Sequence, residues 1–354
     1  MNLKWIETPL LVWYRQNARD LPWRHTRDPY RIWVSEIMLQ QTRVEAVKPY
    51  YARFLDALPN VEALANAPEE QLLKLWEGLG YYSRVRNMQK AARMVVELYD
   101  GQFPDTVAKL QRLAGIGEYT AGAIASIAFG IPAPAVDGNV MRVMARLTGD
   151  ERDIFDPALK KEYSKTLTPF VSQTDPSAYN QGLIELGATV CLPKGLARCD
   201  TCPLAEGCIA HQNGLVDKIP SPKQQKPRKI DQRTILIIQS DREVLVEKRP
   251  DKGLLAGLWQ LPSMDGHKSE KEVLEFAQNL ELDVLRIQPL PPAKHIFTHI
   301  EWHMIGYRLH LSGLSSIPKN TVRVSLEELE AKYPLPSAFS AYLPYLKKKN
   351  RNND

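Results

Sequence analysis

The sequence predicts two domains, a larger all-helical domain followed by a smaller α+β domain. The chain has 354 residues, which is more than one hydrophobic core usually serves. Apolar residues recur at helical spacing in the N-terminal part, whereas beyond residue 232 they alternate as in strands. We therefore predict a helical domain over residues 1–212, a linker over 213–232 and a second domain over 233–348.

Helices of the first domain are predicted where apolar residues repeat with the period of an α-helix. These runs cover residues 29–58, 69–77, 84–99 and 106–113. Residues 118–129 are almost wholly apolar, which is typical of a buried helix. Pro59 ends the first run, and glycine or proline residues separate the others.

The second domain is predicted from a change of period after a basic stretch. Residues 213–232 are rich in lysine, arginine and proline and poor in apolar residues, as linkers are. Residues 234–239 and 244–248 are predicted to pair as a hairpin. A helix over 268–280 and a strand over 295–311 complete the α+β pattern.

Composition and charge set broad limits on the function. Apolar residues make up 44% of the chain and charged residues 25%, which is ordinary for a globular protein. The net charge of +5 is compatible with a polyanionic partner. The sequence has no apolar run of the roughly 18 residues that span a bilayer, and its first residues lack the pattern of a secretory signal. We expect an intracellular protein.

All four cysteines lie in one short segment. They follow the pattern Cys191, seven residues, Cys199, two residues, Cys202, five residues, Cys208. In a reducing compartment such clustering favours a metal centre over disulfides. Structural zinc and an iron–sulfur cluster both use four thiolates, so the spacing alone leaves these two possibilities open.

Residues 106–129 predict two helices joined by a glycine turn. Gly115 and Gly117 allow the backbone to turn sharply and to approach another molecule closely. The second helix would present unpaired N–H groups at its start, and these suit a phosphate oxygen. A plain helix–helix connection is the alternative.

Glu36 and Asp137 are candidate acid–base residues. On a helix Glu36 shares an apolar stripe with Ile32 and Leu39, and burial there would raise its pKa; a solvent-facing glutamate is the alternative. Asp137 follows one apolar helix and precedes another, where it is either a helix cap or a carboxylate aimed at a ligand. A proton-donating glutamate beside a charged aspartate is the pair that breaks glycosidic bonds through a cationic transition state.

Several further stretches accompany these residues. They are Asp-Leu-Pro-Trp-Arg at 20–24, Val-Ser-Glu-Ile-Met-Leu-Gln-Gln-Thr at 34–42, Gly-Leu-Gly-Tyr-Tyr-Ser-Arg at 78–84, Leu-Ala-Gly-Ile-Gly-Glu-Tyr-Thr at 113–120 and Val-Asp-Gly-Asn-Val at 136–140. With the four cysteines, they resemble the helix-hairpin-helix DNA glycosylases with an iron–sulfur loop, and more closely the adenine glycosylases of the MutY type. The resemblance extends from near the N-terminus to Cys208 and resumes in the second domain.

The resemblance implies a fold and an activity. The fold is multidomain: an all-α helix-hairpin-helix glycosylase domain, with its hairpin at 106–129 and an iron–sulfur loop at 191–208, precedes a Nudix-like domain that recognises 8-oxoguanine. The activity is removal of adenine mispaired with 8-oxoguanine or guanine, by base flipping and N-glycosidic hydrolysis. One 4Fe–4S cluster, duplex DNA with such a mismatch, a monomeric state and the cytoplasm or nucleoid of a prokaryote are also implied.

The resemblance also implies roles for individual residues. Glu36 would protonate the adenine and Asp137 would stabilise the sugar cation, with Tyr119 and Asn139 assisting. The adenine pocket would be formed by Leu21, Trp23, Arg24, Gln181 and Ile184. Contacts to DNA or 8-oxoguanine would come from Gln41, Tyr81, Gly115, Gly117, Phe297, Thr298 and His299. The cluster ligands would be Cys191, Cys199, Cys202 and Cys208.

Tyr119 bears on the class of enzyme. Related endonuclease III-like enzymes that also cut the backbone carry a lysine at the equivalent position, and its amine forms a Schiff base with the sugar. Tyrosine lacks that amine, so we expect a monofunctional hydrolase. A pyrimidine or thymine-mismatch glycosylase, a Nudix pyrophosphohydrolase and a non-catalytic DNA-binding module are the alternatives.

The sequence departs from the family pattern at several positions. The first cysteine gap is seven residues where six is common, Ala114 stands where proline is usual, and Thr298 stands where serine is often found. Residues 253–262 look like the entry to a Nudix fold, yet the glutamates of 269–282 lack the metal-binding spacing, which favours a recognition module. The histidines at 295, 299 and 303 lie on a predicted strand, so we do not expect them to bind a metal.

Overall fold

The computed structural model describes residues 2–193, 195–221, 227–313, 318 and 320–346. These residues form two compact units. The first contains residues 2–67 and 83–221, and the second contains Pro68–Tyr82 together with the described residues from 227 onward. Residues 68–82, which the sequence groups with the helical domain, therefore belong with the second unit. In the described ranges no helix is long and apolar enough to cross a membrane.

The chain up to residue 212 is helical, as predicted. Its helices, in chain order, are α1 (Glu7–Asn17), α2 (Pro29–Leu39), α3 (Val44–Ala57), α4 (Val61–Asn66), α5 (Glu69–Leu75), α6 (Ser83–Tyr99), α7 (Val107–Leu110), α8 (Glu118–Phe129), α9 (Gly138–Thr148), α10 (Pro157–Leu167), α11 (Pro176–Thr189) and α12 (Ile209–Gln212). The prediction of one helical run over 29–58 was wrong: residues 40–43 separate two helices, and Gln41 there has a φ of 60°. The helix predicted over 106–113 is shorter than expected, because turns follow Leu110.

The core of the first unit joins α1, α9 and α11. Leu10, Met144 and Tyr179 are fully buried in it. Ile219 is buried in the same core, so the predicted linker packs on the helices at that point rather than being solvated throughout. Helix α2 is also central, since all of residues 32–38 are buried, and this burial on every side agrees with its apolar sequence.

The second unit is built on a mixed sheet. Its strands are β1 (Lys229–Gln239), β2 (Glu243–Lys248), β3 (Trp259–Gln260), β4 (Ser263–Asp265), β5 (Val284–Ile296), β6 (Ile300–Leu311) and β7 (Thr321–Ser325), and its later helices are α13 (Glu270–Asn279) and α14 (Leu326–Lys332). The strand order is β3-β2-β1-β6-β5, with β4 paired to β1 and β7 paired to β2. Only β1 and β6 run parallel among these pairs.

The second half of β1, residues 234–239, is buried on both faces because helices cover the sheet on both sides. Ile235 and Ile237 pack in the core that includes Leu329 of α14, whereas Leu236 and Ile238 pack with Val273 of α13. A continuous apolar run is the sequence signature of such a strand. The predicted hairpin and the predicted helix over 268–280 are therefore confirmed, with slightly different ends.

Two strand predictions need correction. Strand β1 begins at Lys229, inside the predicted linker, because its backbone pairs with β6 from Lys229 onward regardless of side-chain polarity. The strand predicted over 295–311 is the end of β5, a turn and then β6. The turn reverses the chain between Ile296 and Ile300, where Phe297 N–H donates to the carbonyl oxygen of Ile300.

We predict that Gly122→Ala lowers the stability of the first unit. A Cβ at Gly122 of α8 would lie 2.0 Å from the backbone oxygen of Pro134, so the segment leading into α9 would have to move. Overpacking of this kind costs about 1–3 kcal/mol of unfolding free energy, measurable by urea unfolding followed by circular dichroism. Gly138→Ala is the control, because a Cβ there meets no atom within 4 Å. Equal stability of the two variants would contradict the prediction.

Candidate active site

A cavity of about 610 Å³ lies in the first unit, beside α2, the start of α8, the start of α9 and α11. Its volume is typical of small-ligand sites. Twelve of the predicted site residues line it: Leu21, Trp23, Arg24, Glu36, Gln41, Gly115, Gly117, Tyr119, Asp137, Asn139, Gln181 and Ile184. Residues distant in sequence thus meet around one cavity.

Glu36 is a buried acid. Only 7% of the residue is exposed, and its Oε2 accepts a hydrogen bond of 2.5 Å from the hydroxyl of Tyr119. Burial raises the pKa of Glu36 to about 7; the Tyr119 hydrogen bond opposes this rise and the nearby Asp137 charge adds to it. The alternative of a solvent-facing glutamate is excluded, and Glu36 can hold a proton near neutral pH.

Tyr119 lies in the first turn of α8, directly after the glycine turn. Burial, followed by the charges of Glu36 and Asp137, raises the pKa of Tyr119 well above its ordinary value. Its hydroxyl therefore stays protonated and donates to Glu36. Since Oε2 of Glu36 accepts that proton, Oε1 is the atom left to carry the acidic proton of the carboxyl group.

Asp137 is both a helix cap and a wall of the cavity, so the two possibilities raised by the sequence are both realised. Its Oδ1 accepts from the N–H of Val140 at 2.8 Å and caps α9, while Oδ2 accepts from Nδ2 of Asn139 at 2.8 Å. Burial raises the pKa of Asp137, and these hydrogen bonds oppose the rise by stabilising the carboxylate.

The backbone before Asp137 is held by Asn180 of α11. Its Oδ1 accepts from the N–H of Ala135 at 2.9 Å, and its Nδ2 donates to the carbonyl oxygen of Ala133 at 2.8 Å. An amide side chain that satisfies both backbone groups fixes an extended segment as a neighbouring strand would. Asn180 therefore sets the direction from which the chain brings Asp137 to the cavity.

Arg142 links the Asp137 site to the cysteine loop. Its Nη2 donates to Oδ1 of Asn139 at 3.0 Å, and its Nε donates to the carbonyl oxygen of Cys191 at 2.8 Å. Asn139 in turn donates to Asp137. A continuous chain of hydrogen bonds thus runs from the cysteine loop to the carboxylate, and each bond orients the next.

A second buried glutamate, Glu185, is fully paired. It is 0% exposed, and it accepts hydrogen bonds of 2.7 Å from Arg19 and from Arg24. Burial alone would raise its pKa, but these hydrogen bonds lower the pKa of Glu185 to about 2. The ionised Glu185 holds the Arg24 guanidinium at the cavity wall.

The charged cavity residues Arg19, Lys160 and Glu185 were missed by the sequence analysis, and so was Arg142, which lies outside the cavity lining but is hydrogen-bonded to Asn139. Glu185 had a detectable signal, because it is the only charged residue in the otherwise apolar and small sequence of α11. Arg142 lies three residues after Asn139, on the same helical face. For Arg19 and Lys160 no local pattern distinguishes them from ordinary surface cations.

The four cysteines line a separate small cavity together with Arg146. They form no disulfide, and burial raises the pKa of Cys202 to about 12. Over the described part of the chain, no three Cys, His, Asp or Glu side chains are grouped closely enough to hold a metal ion. The structure therefore gathers the predicted ligands around one space without arranging them as a metal centre.

The remaining predicted site residues lie in the second unit. The hydroxyl of Tyr81, which is 49% exposed, forms a hydrogen bond of 2.7 Å with Oγ1 of Thr298. Thr298 and His299 are exposed at the turn between β5 and β6. Phe297 is instead partly buried, with its ring 5.0 Å from that of Trp302 and 4.5 Å from that of His295. Phe297 thus supports the turn from beneath, which the sequence did not predict.

Sequence comparison places this chain in a known family. The chain matches the HhH-GPD superfamily of base excision DNA repair proteins over residues 34–169 and the NUDIX domain over residues 233–345. It is 37% identical over 370 residues to an adenine DNA glycosylase of Mus musculus, a match that covers 88% of this chain and 71% of that protein. An adenine DNA glycosylase of Buchnera aphidicola is 32% identical, and this match covers 98% of this chain and 97% of that protein. The chain belongs to the adenine DNA glycosylases.

Solved structures of DNA repair enzymes are similar to this chain over 58% and 61% of its length. A thermostable thymine-DNA glycosylase has 28% identity and a TM-score of 0.54, covering 58% of this chain and 94% of that one. A trapped endonuclease III–DNA covalent intermediate has 26% identity and a TM-score of 0.51, and this match covers 61% of this chain and 100% of that one. The expected helix-hairpin-helix and Nudix-like domains are confirmed, as is a monofunctional adenine glycosylase of base excision repair that acts on DNA.

We predict that Glu36→Gln stabilises the glycosylase at neutral pH but not at acidic pH. In the wild type the folded state has a pKa of about 7 at Glu36 instead of the ordinary 4.5, so it binds this proton more tightly than the unfolded chain does. The associated stability is fully present below pH 4.5 and is lost as the pH rises through 7, a change of about 3 kcal/mol. Glutamine has no such proton. The unfolding free energy of the variant relative to wild type should therefore rise by about 3 kcal/mol between pH 4.5 and pH 7.

The measurement is urea unfolding of both proteins from pH 5 to pH 8. Glu70→Gln is the control, because Glu70 is exposed on α5. If the difference in unfolding free energy between Glu36→Gln and wild type did not change from pH 5 to pH 8, Glu36 would be ionised in the folded protein throughout this range.

Proposed function

We propose that this glycosylase removes adenine paired with 8-oxoguanine or guanine in duplex DNA, with Glu36 as the proton donor and Asp137 as the carboxylate at the sugar. The observation that carries the proposal is the contrast in one cavity between an acid with a pKa of about 7 and a capped, hydrogen-bonded carboxylate. Two carboxyl groups whose surroundings divide their roles in this way are what glycosidic cleavage requires.

In the first step Glu36 would protonate the flipped adenine. Its Oε1 is free of the Tyr119 hydrogen bond and can deliver a proton to N7 of the base. The electrons of the C1′–N9 bond then move into the purine as that bond breaks, because the protonated base is the better leaving group. A carboxyl group that retains its proton near pH 7 suits this step in neutral solution.

Cleavage leaves positive charge on the sugar, which the Asp137 carboxylate would stabilise. Hydrogen bonds from Val140 N–H and Asn139 hold this carboxylate in place, so little reorganisation is needed as the charge develops. A water molecule completes the reaction: its hydroxyl group goes to C1′ and its proton replaces the one that Glu36 donated. The products are free adenine and an abasic site.

The cavity walls support a purine as the extruded base. Leu21 and Trp23 are buried and apolar, which suits the faces of a planar ring, while Gln181 and the Arg24 guanidinium supply polar atoms for its edges. The start of α8 and the cation of Lys160 line the same cavity, and both suit a DNA phosphate. The exposed Tyr81–Thr298 pair of the Nudix-like unit would contact the oxidised guanine.

We further propose that Cys191, Cys199, Cys202 and Cys208 hold one 4Fe–4S cluster. Arg146, which is buried beside them, donates from Nη1 to Sγ of Cys191 at 3.3 Å, and its Nη2 has no hydrogen-bond partner among the described residues. A buried cation with a donor to spare fits a group of thiolates, since it would offset their charge. When bound, the cluster would tie together a loop that has little core of its own.

The test of the catalytic proposal is single-turnover excision by Asp137→Asn. The variant should bind duplex carrying an uncleavable adenosine analogue opposite 8-oxoguanine as the wild type does, but excise adenine at least about a hundredfold more slowly, because it removes charge and keeps shape. Asp56→Asn, an exposed change on α3, should leave both properties unaltered. Excision by Asp137→Asn within a few-fold of wild type would overturn the assignment, and equal wild-type activity on adenine opposite thymine would overturn the mismatch specificity.

For the cofactor we expect protein purified without oxygen to be coloured and to carry about four iron atoms per chain. Cys202→Ser should lose most of the iron and the visible absorbance, whereas the neighbouring Thr201→Ser should retain both. Elemental analysis that finds about one zinc and no iron would overturn the proposal in favour of structural zinc.

A further inference from the structure

We propose that Glu77 is a positioning residue for lesion recognition, because it ties the turn that carries Tyr81 to the core that carries the Thr298 turn. This inference rests on the proposed recognition of 8-oxoguanine by Tyr81 and Thr298. Glu77 itself is not expected to touch DNA. Its role would be to hold the exposed tyrosine where the lesion can be read.

Glu77 is anchored by two different contacts. Its Oε1 accepts from the backbone N–H of Leu335 at 3.0 Å, and its Oε2 accepts from Nζ of Lys74 at 2.7 Å. Helix α5, which precedes Glu77, also packs against α14, which precedes Leu335. A segment that is distant in sequence is therefore attached to the Nudix-like unit through a charged hydrogen bond, which is stronger than a neutral one.

Glu77 lies close to Tyr81 along the chain, and a hydrogen bond closes the turn between them. Trp76, which is fully buried, donates from Nε1 to the carbonyl oxygen of Gly80 at 3.0 Å and closes the turn between Glu77 and Tyr81. Tyr81 has a φ of 48°, which is uncommon for a residue with a side chain and is maintained only where the surroundings impose it. Displacement of Glu77 would therefore also displace Tyr81.

The other end of the anchor belongs to the core beneath the Thr298 turn. Leu335 and Phe339 are buried in one cluster with Trp302, and the ring of Phe297 packs on that cluster. By accepting a hydrogen bond from the N–H of Leu335, Glu77 thus holds Tyr81 next to Thr298, to which the Tyr81 hydroxyl is hydrogen-bonded. Two separate connections, Glu77 to Leu335 and Tyr81 to Thr298, fix the same turn to the same core.

The experiment measures the affinity ratio between duplexes that carry an uncleavable adenosine analogue opposite 8-oxoguanine and opposite guanine. Glu77→Ala should lower this ratio about three- to tenfold, as expected for loss of a charged hydrogen bond, while single-turnover excision on saturating adenine:8-oxoguanine duplex changes less than about twofold. Glu77→Gln keeps an oxygen for Leu335 N–H and should restore most of the ratio. Glu70→Ala, on the exposed side of α5, is the matched control and should leave the ratio unchanged.

A double-mutant cycle separates positioning from a general loss of structure. In a Tyr81→Ala background, Glu77→Ala should have no further effect on the ratio, because the residue it positions is gone. An equal effect in both backgrounds, or an unchanged ratio in Glu77→Ala alone, would overturn the inference. If the alanine variant does not fold, Glu77→Asp, whose carboxylate is one methylene shorter, serves in the same cycle. A wild-type ratio near one would instead show that the proposed 8-oxoguanine function has failed.

Discussion

The burial of the Glu36 carboxyl group is the constraint on which the cavity of the first unit depends. Glu36 and Glu185 are both buried and both line the cavity, yet one has a pKa of about 7 and the other about 2. The difference lies in their partners: Glu185 has two arginines, whereas Glu36 has one tyrosine hydroxyl and no ion pair among the described residues. A buried glutamate thus keeps its proton near neutral pH where it has no ion pair and is an anion where arginines pair with it.

The position of the Asp137 carboxylate is set by the packing around it. The close contact of Gly122 with Pro134, the clamp by Asn180 and the cap on α9 all act on the few residues around this carboxylate. Arg142 extends the same constraints to the carbonyl oxygen of Cys191. In the proposed reaction, a carboxylate with so many fixed neighbours would meet the developing cation with little reorganisation, which is the main source of electrostatic stabilisation in enzymes.

The sequence predicted those parts of the structure that depend on short spacing. Apolar patterning located α2, α3, α5, α6, α7, α8 and α13, but it gave no prediction for the long helices α1, α10 and α11. The apolar environment of Glu36 correctly indicated burial, because a helix places residues three and four apart on one face. The pairing of Glu185 with Arg19 and the grouping of residues 68–82 with the second unit could not be predicted, since both depend on contacts over more than 150 residues of sequence. The early start of β1 was missed for a related reason: the partner strand, rather than its own polar side chains, determines where the strand begins.

The Tyr81–Thr298 hydrogen bond bears on how a second domain can add specificity. In the free protein the two hydroxyls are hydrogen-bonded to each other, so a guanine bound at this turn, as proposed, would have to keep that bond or exchange it for another. Such an exchange contributes little net affinity, but it penalises a base that cannot replace the lost bond. The proposed lesion differs from guanine at this edge, because 8-oxoguanine has a donor at N7 and an acceptor at C8. Discrimination would then arise from a mismatch in hydrogen bonding with the undamaged base, which separates recognition of the lesion from the chemistry at Glu36 and Asp137.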